Sequence, residues 1–124
     1  MILNHVSVGV SNVASSVGFY DSVLATLSIE RSHYIENIAA AYGENFEFWV
    51  GCPFENSPSS GNGTHIAFNA PNIDAVDRFY ETALEFGGTC AGMPGLRLDY
   101  GENYYAAFVR DVDGNKIEAV FMSL

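Results

Sequence analysis

Positive charge is what this chain lacks. Five basic side chains, Arg31, Arg78, Arg97, Arg110 and Lys116, stand against fifteen acidic ones, for a net charge of −10. Gripping nucleic acid or an anionic membrane surface requires a basic footprint, so both partner classes are argued against. Cysteine is nearly as scarce. Cys52 and Cys90 have no CxxC or zinc-finger spacing. With no secretory leader ahead of them, the expectation is two reduced thiols in a cytoplasmic protein. Long apolar runs are missing too, and none approaches transmembrane length. What the chain does have is a hydrophobic content of 48% and an aromatic content of 14% over 124 residues. That composition is well outside the disordered range and sufficient for the core of one compact domain.

The chain also repeats itself. At an offset of sixty residues His5 falls on His65, Asn12 on Asn72, Phe19 on Phe79, Tyr20 on Tyr80 and Leu24 on Leu84. Val6/Ile66, Val8/Phe68, Val13/Ile73 and Asp21/Glu81 are conservative matches in the same alignment. A fixed-offset match indicates a duplicated supersecondary unit. The histidine belongs to the repeat.

Each copy reads in the same order. Residues 2–10 alternate, Val6, Val8 and Val10 against Leu3, His5, Ser7 and Gly9, which predicts a strand with one buried face. Asn12 is the expected N-cap of a helix over about 13–27, with Val13, Val17, Tyr20, Leu24 and Leu27 at helical spacing. Strands are expected near 29–35, 37–42 and 45–50. The Pro-, Ser- and Gly-containing stretch 52–63 reads as a connector. The second copy follows with a strand at 64–69 and a helix at about 73–86 carrying Ile73, Val76, Tyr80, Ala83 and Leu84, stopped by Gly87-Gly88. Further strands are expected near 89–92, 104–110 and 115–122, the last two joined by a tight turn at Asp111-Val112-Asp113-Gly114. The fold class is α+β: module 1 over about 1–51, the connector, and module 2 over about 64–124, each βαβββ.

Strand parity locates the chemistry. Phe46, Phe48 and Val50 form one face of their strand and leave Glu47 with Asn45 and Trp49 on the other. Ile117, Ala119 and Phe121 likewise leave Glu118 with Lys116 and Val120, and His65 opposes Ile66 and Phe68. Each module thus carries a histidine on its first strand and a glutamate on a later one, away from the dominant apolar face. A lone strand histidine is commonly structural, and Glu118 has Lys116 on its own face as a potential partner. Four such explanations would have to coincide in register, however. Two imidazoles and two carboxylates suit a divalent metal such as Zn, Ni, Co, Mn or Fe, with the metal left open among these. His33 has no partner at the repeat offset and is expected at the surface.

At these residues the chain resembles a known family. "NHVSVGVSNVASSVGFYDSVL", "FEFWVG", "THIAFNAPNIDAVDRFYETAL" and "YYAAFVRDVDGNKIEAVF" are similar to the glyoxalase/bleomycin-resistance/extradiol-dioxygenase proteins, the vicinal oxygen chelate superfamily. The resemblance covers nearly the whole chain and is weakest over 29–43. It implies one glyoxalase-like domain, 1–124, with the two modules forming a curved, U-shaped mixed sheet around a metal-site cleft. It implies the metal ligands His5, Glu47, His65 and Glu118, and a homodimer. Val112 departs from the pattern at a turn position where proline is usual. The four-ligand set resembles glyoxalase I-like members. It implies a lyase or isomerase acting on a small substrate with vicinal oxygens, with Glu118 or Glu47 as the carboxylate that moves the proton and the enediolate stabilised by the metal. An extradiol-type dioxygenase would need only His5, His65 and Glu118 around iron. Metal-free, drug-sequestering relatives generally lack these ligands.

Substrate contacts are expected from Trp49, Tyr100, Tyr105 and Arg97, the loop 91–102 overhanging the site. Glyoxalase I-like sequences place an arginine and an asparagine where this chain has Gly9 and Gly51, so a glutathione adduct is not the expected substrate. A small molecule with little negative charge is.

Overall fold

The computed structural model describes residues 2–123. Its ten elements are β1 (Val6–Gly9), α1 (Val13–Ala25), β2 (Arg31–Ile35), β3 (Ala39–Tyr42), β4 (Phe48–Gly51), β5 (His65–Asn69), α2 (Ile73–Glu85), β6 (Thr89–Leu96), β7 (Tyr104–Arg110) and β8 (Lys116–Met122). Hydrogen bonding divides the strands into two sheets of four, ordered β1-β4-β3-β2 and β5-β8-β7-β6. In each, the first strand of the module runs parallel to the last and the remaining pairs are antiparallel. The fold is α+β, two βαβββ units. No helix among the described residues is long and apolar enough to cross a membrane.

The duplication is visible in the backbone. Asn12 Oδ1 accepts from the Ser15 amide at 3.0 Å, and Asn72 Oδ1 accepts from the Ala75 amide at 2.8 Å. Each satisfies an N-terminal amide that has no partner within the helix. The two 13-residue helices therefore start and end in step. Both pack on one side of the sheets over a shared core that includes Tyr20, Val23 and Leu24 from α1, Val76 and Phe79 from α2, and Phe48, Val50, Val109 and Ile117 from the strands. Phe48 and Phe68 meet edge to face at 4.9 Å, joining the two sheets through an aromatic pair. In α2 the buried stripe is Ala75, Val76, Phe79 and Ala83, while Ile73 and Leu84, expected in the core, stand exposed.

The turn 111–114 ties module 2 to module 1. Asp111 Oδ1 accepts from the amides of Asp113 and Asn115, both at 2.9 Å, closing the turn around Gly114 at φ +90°. Its other oxygen accepts from the Tyr20 hydroxyl at 2.7 Å and from Asn115 Nδ2 at 2.9 Å. Asn115 Nδ2 also donates to the Gly9 carbonyl at 3.0 Å, and Asp113 Oδ1 accepts from the Ser11 amide at 3.0 Å. The chemistry-bearing strands of the two modules are thereby held together.

Two local expectations are corrected. Phe46 does not share a face with Phe48: its φ of +57° turns it to the opposite side, beside His33 and Trp49, and β4 begins only at Phe48. The stretch 91–102 is not one long loop either. Its first six residues continue β6, an edge strand that accommodates Pro94 through register shifts between Cys90 and Gly95.

Candidate functional site

Each sheet has a helix face and an open face. On the open face of module 2 the register sets the side chains in rows. His65, Lys116 and Arg110 form the first, Ala67, Glu118, Phe108 and Gly92 the second, and Asn69, Val120, Ala106 and Gly95 the third.

Glu118 is the most unusual of these, a carboxylate only 1% exposed in mid-strand. A polar group so placed needs hydrogen-bond partners. His65 Nε2 lies 3.1 Å from Oε1, and the Tyr104 hydroxyl donates to Oε2. Partial burial and the bond to Glu118 push the Tyr104 phenol up to about 12, so it stays protonated and a donor through the neutral range. Tyr104 in turn stacks edge-on with Tyr100 at 5.2 Å.

The open face of module 1 is built differently. Ser7, Trp49, Ala41 and His33 form one row and Gly9, Gly51, Ala39 and Ile35 the next. Trp49, whose Nε1 donates to the Phe46 carbonyl at 2.9 Å, clusters with His33 and Phe46 at ring separations of 6.0–6.3 Å. His33 is exposed, as expected, but on this face. A cavity of about 450 Å³ has Ser7, Gly9, Ala39 and Gly51 as its small floor and Trp49 and Phe54 among its walls.

His5, Glu47 and His65 line a single cleft of about 380 Å³ along β1, β4 and β5. His5 lies just before β1, its Nδ1 2.7 Å from Asn4 Oδ1. Glu47 lies just before β4 and turns back on its own turn, Oε1 accepting from the Asn45 amide at 2.7 Å. The left-handed Gly43 leaves room for it, since a Cβ there would lie 2.4 Å from that oxygen. Of the four expected ligands, then, His65 and Glu118 are paired directly, while His5 and Glu47 share the cleft, each with one donor atom hydrogen-bonded to a neighbouring residue. Among the described residues no group of three or more metal-ligating side chains is drawn together.

The donor set nonetheless fits a divalent metal at its module 2 end. Adjacent ligands with bonds of about 2.1 Å stand roughly 3.0–3.4 Å apart. His65 Nε2 and Glu118 Oε1, at 3.1 Å, have that separation, with Glu118 held from behind by a hydrogen-bond donor.

The substrate-contact expectations divide. Trp49 lines the module 1 cavity. Arg97 sits with its guanidinium carbon 5.4 Å from the centre of the Phe108 ring, and Tyr100 lies against Tyr104. Tyr105 does not belong with them. It points to the helix face, packed on the core, with its hydroxyl donating to Asp77 of α2 at 2.6 Å. Tyr104 and Phe108 take the open face instead. Parity was the available signal, because Tyr104, Ala106 and Phe108 alternate with Tyr105, Ala107 and Val109.

Known proteins agree with this architecture. A family model described as Glyoxalase/Bleomycin resistance protein/Dioxygenase superfamily matches residues 2–119. The crystal structure of a glyoxalase/bleomycin resistance protein from Albidiferax ferrireducens is 31% identical, with a TM-score of 0.89 over 99% of this chain and 100% of that one. Two more distant structures share the fold. A glyoxalase-related enzyme from Fulvimarina pelagi is 16% identical, with a TM-score of 0.74 over 96% of this chain and 86% of its own. Lactoylglutathione lyase from Agrobacterium tumefaciens is 15% identical, with a TM-score of 0.67 over 98% and 92%. No functionally curated protein matches in sequence. Fold, helix caps and family match coincide over nearly the full length, and the chain belongs to the glyoxalase/bleomycin resistance protein/dioxygenase superfamily.

Proposed function

We propose that the protein is a divalent-metal-dependent lyase or isomerase acting on a small molecule with adjacent oxygen atoms. The observation that carries this reading is the desolvated Glu118 carboxylate, fixed between His65 and Tyr104. His65 and Glu118 are the core of the proposed metal site, with His5 and Glu47 as the remaining ligands from the facing wall of the cleft. When bound, the metal would supply Lewis-acid polarisation of a substrate carbonyl and charge stabilisation of the enediolate.

The chain's own groups do the rest. Burial keeps water from Glu118, and its two partners hold its oxygens in one orientation, which favours a carboxylate as base for a carbon-bound proton beside a carbonyl. Tyr104 donates to Oε2 and so fixes the carboxylate with Oε1 on the His65 side. Glu47 is the second carboxylate along the cleft and the candidate to return a proton to the neighbouring carbon. Gly9 and Gly51 face each other in register, and a Cβ at Gly51 would lie 2.9 Å from the Ile38 carbonyl oxygen. These positions offer no amide or guanidinium to a glutathione adduct, which argues against a glutathione-dependent glyoxalase I. A homodimer in the cytoplasm goes with this reading.

One observation favours a second reading. With Glu47 folded back on the Asn45 amide, the set reduces to His5, His65 and Glu118, two imidazoles and a carboxylate, suited to an iron-dependent extradiol-type dioxygenase. Elemental analysis of protein purified without chelators or a His-tag tests both readings, and about one metal per chain is expected. Less than about a tenth, with no uptake on titration, points instead to a metal-free binding protein. Oxygen consumption with catechols after anaerobic Fe(II) loading selects the dioxygenase. An oxygen-independent reaction with Ni or Zn selects the lyase or isomerase.

A further inference from the structure

The five basic residues are not distributed evenly. Arg31 pairs with Asp21 at 3.3 Å and Arg78 with Asp74 at 2.9 Å. The other three, Arg97, Arg110 and Lys116, have no carboxylate within ion-pair distance among the described residues. All three lie at the open face of module 2. The ammonium of Lys116 and the guanidinium carbon of Arg97 lie 5.0 and 5.4 Å from the centre of the Phe108 ring. Arg110 and Lys116 are direct cross-strand partners, and His65 is the partner of Lys116 on its other side. Like charges placed opposite one another across a sheet destabilise it. In a chain of net charge −10, with fifteen carboxylates to choose from, this basic row lacks its counter-ion.

The same row opens into a polar cavity of about 480 Å³, lined by Ser59, Ser60, Gly61, Asn62, Gly63 and Thr64 together with Arg110 and Lys116. The connector is folded onto this end of the sheet, because a Cβ on Gly114 would come within 3.7 Å of Ser60 Cβ and Oγ. Gly61 and Gly63, at φ +72° and +91°, turn the backbone so that three hydroxyl side chains border one space. Two cations and several hydroxyls around a space of this size recognise an oxyanion, since charge-assisted hydrogen bonds are the strong ones.

We infer that this cavity is an oxyanion subsite, and that the substrate is a small molecule ending in a phosphate or carboxylate. The inference rests on reading His65 and Glu118 as the reactive end of the cleft. Lys116 precedes Glu118 by two residues on the same face, a step of about 7 Å along a strand. The anionic group therefore sits about that far from the substrate's reactive oxygens. This revises the expectation of a substrate with little negative charge: whole-chain charge is repulsive, while the local field at this end of the cleft is attractive.

The test is an amide NMR titration of the full chain, stripped of metal with EDTA and then dialysed free of it, with inorganic phosphate, and separately with acetate, at low ionic strength. Metal binding then plays no part in the result. Saturable shifts are expected at Gly61, Gly63, Thr64 and Lys116. Lys116→Met and Arg110→Gln should each weaken phosphate binding by about tenfold or more, while Arg78→Met leaves it unchanged. A spectrum otherwise superimposable on the parent's shows that each variant is folded. Shifts that do not saturate for either anion, or that survive both substitutions, overturn the subsite. Tighter binding of phosphate assigns a phosphate terminus, and equal or tighter binding of acetate a carboxylate. Phosphate binding without metal uptake would remove the proposed reaction and leave the subsite standing, and the converse would do the opposite.

Discussion

The two modules share a backbone plan and differ in what they put on the open face. In module 1 the face is small and aromatic, a Ser-Gly-Ala floor with Trp49, His33 and Phe46 beside it, and its candidate ligands, an exposed His5 and a half-buried Glu47, are each hydrogen-bonded to a neighbouring residue. In module 2 the face carries the charge: three cations without a carboxylate partner among the described residues, a buried carboxylate, and a histidine and tyrosine directed at that carboxylate, around an apolar patch of Ala106, Phe108 and Val120. Duplication reproduced the caps and the strand order, which any copy needs in order to fold. Chemistry was free to differ on the side away from the shared helix core. On the function proposed above, that difference is a division of labour, with module 2 holding the reacting groups and the charged end of a substrate and module 1 supplying an apolar wall.

The sharpest way to break that comparison is to neutralise the equivalent carboxylates. Glu118→Gln is expected to weaken Ni(II) or Zn(II) binding by about a hundredfold or more, and Glu47→Gln by about tenfold, by calorimetric titration. Equal losses would show the modules contributing alike. Next in size is stability. Asp111→Ala removes acceptors from the buried Tyr20 hydroxyl and from three donors in the turn. It should cost about 3 kcal/mol or more in urea unfolding. Glu47→Ala, on an exposed turn of module 1, should stay within about 0.5 kcal/mol. A small loss at Asp111 would mean the turn does not clamp the modules together.

The smallest effect concerns pH. Burial, reinforced by the Asp111 carboxylate, holds the Tyr20 phenol well above its ordinary value, and burial with the bond to Asp21 does the same for Tyr42. Both prefer the protonated form when folded. Their contribution is therefore fully present below the unfolded value of about 10 and is lost as pH rises through the folded values. The tyrosines' contribution to the urea midpoint should be flat from neutral pH to about 10 and fall above it, and Tyr20→Phe should make that fall shallower. An unchanged slope in the variant would place the alkaline transition elsewhere.

Much of this was legible in advance because it is local. A cap asparagine acts on an amide three residues on, and strand alternation is set by neighbours, so both helix starts and the facing of His65 and Glu118 could be read from short windows. Phe46 escaped because a single left-handed residue reverses the alternation, and nothing in "ENFEF" announces one. Tyr105 was placed wrongly because two adjacent tyrosines look alike until one of them is assigned to the face of Val109. The basic row was missed because its members are scattered through the second half of the chain.

The amino-acid order by itself determined the duplicated βαβββ plan, the helix starts and the family, and it nominated four candidate metal ligands, because each depends on contacts only a few residues apart or on a pattern repeated at a fixed offset. Only the tertiary structure decided which of those groups meet. His65 and Glu118 are 53 residues apart and come within 3.1 Å through the parallel register of β5 on β8. His5 and Glu47 lie before their strands begin, beyond the register that would have aligned them. The same cross-strand alignment brought Arg110 and Lys116 side by side. Register acts over the whole chain, and no short window of sequence contains it.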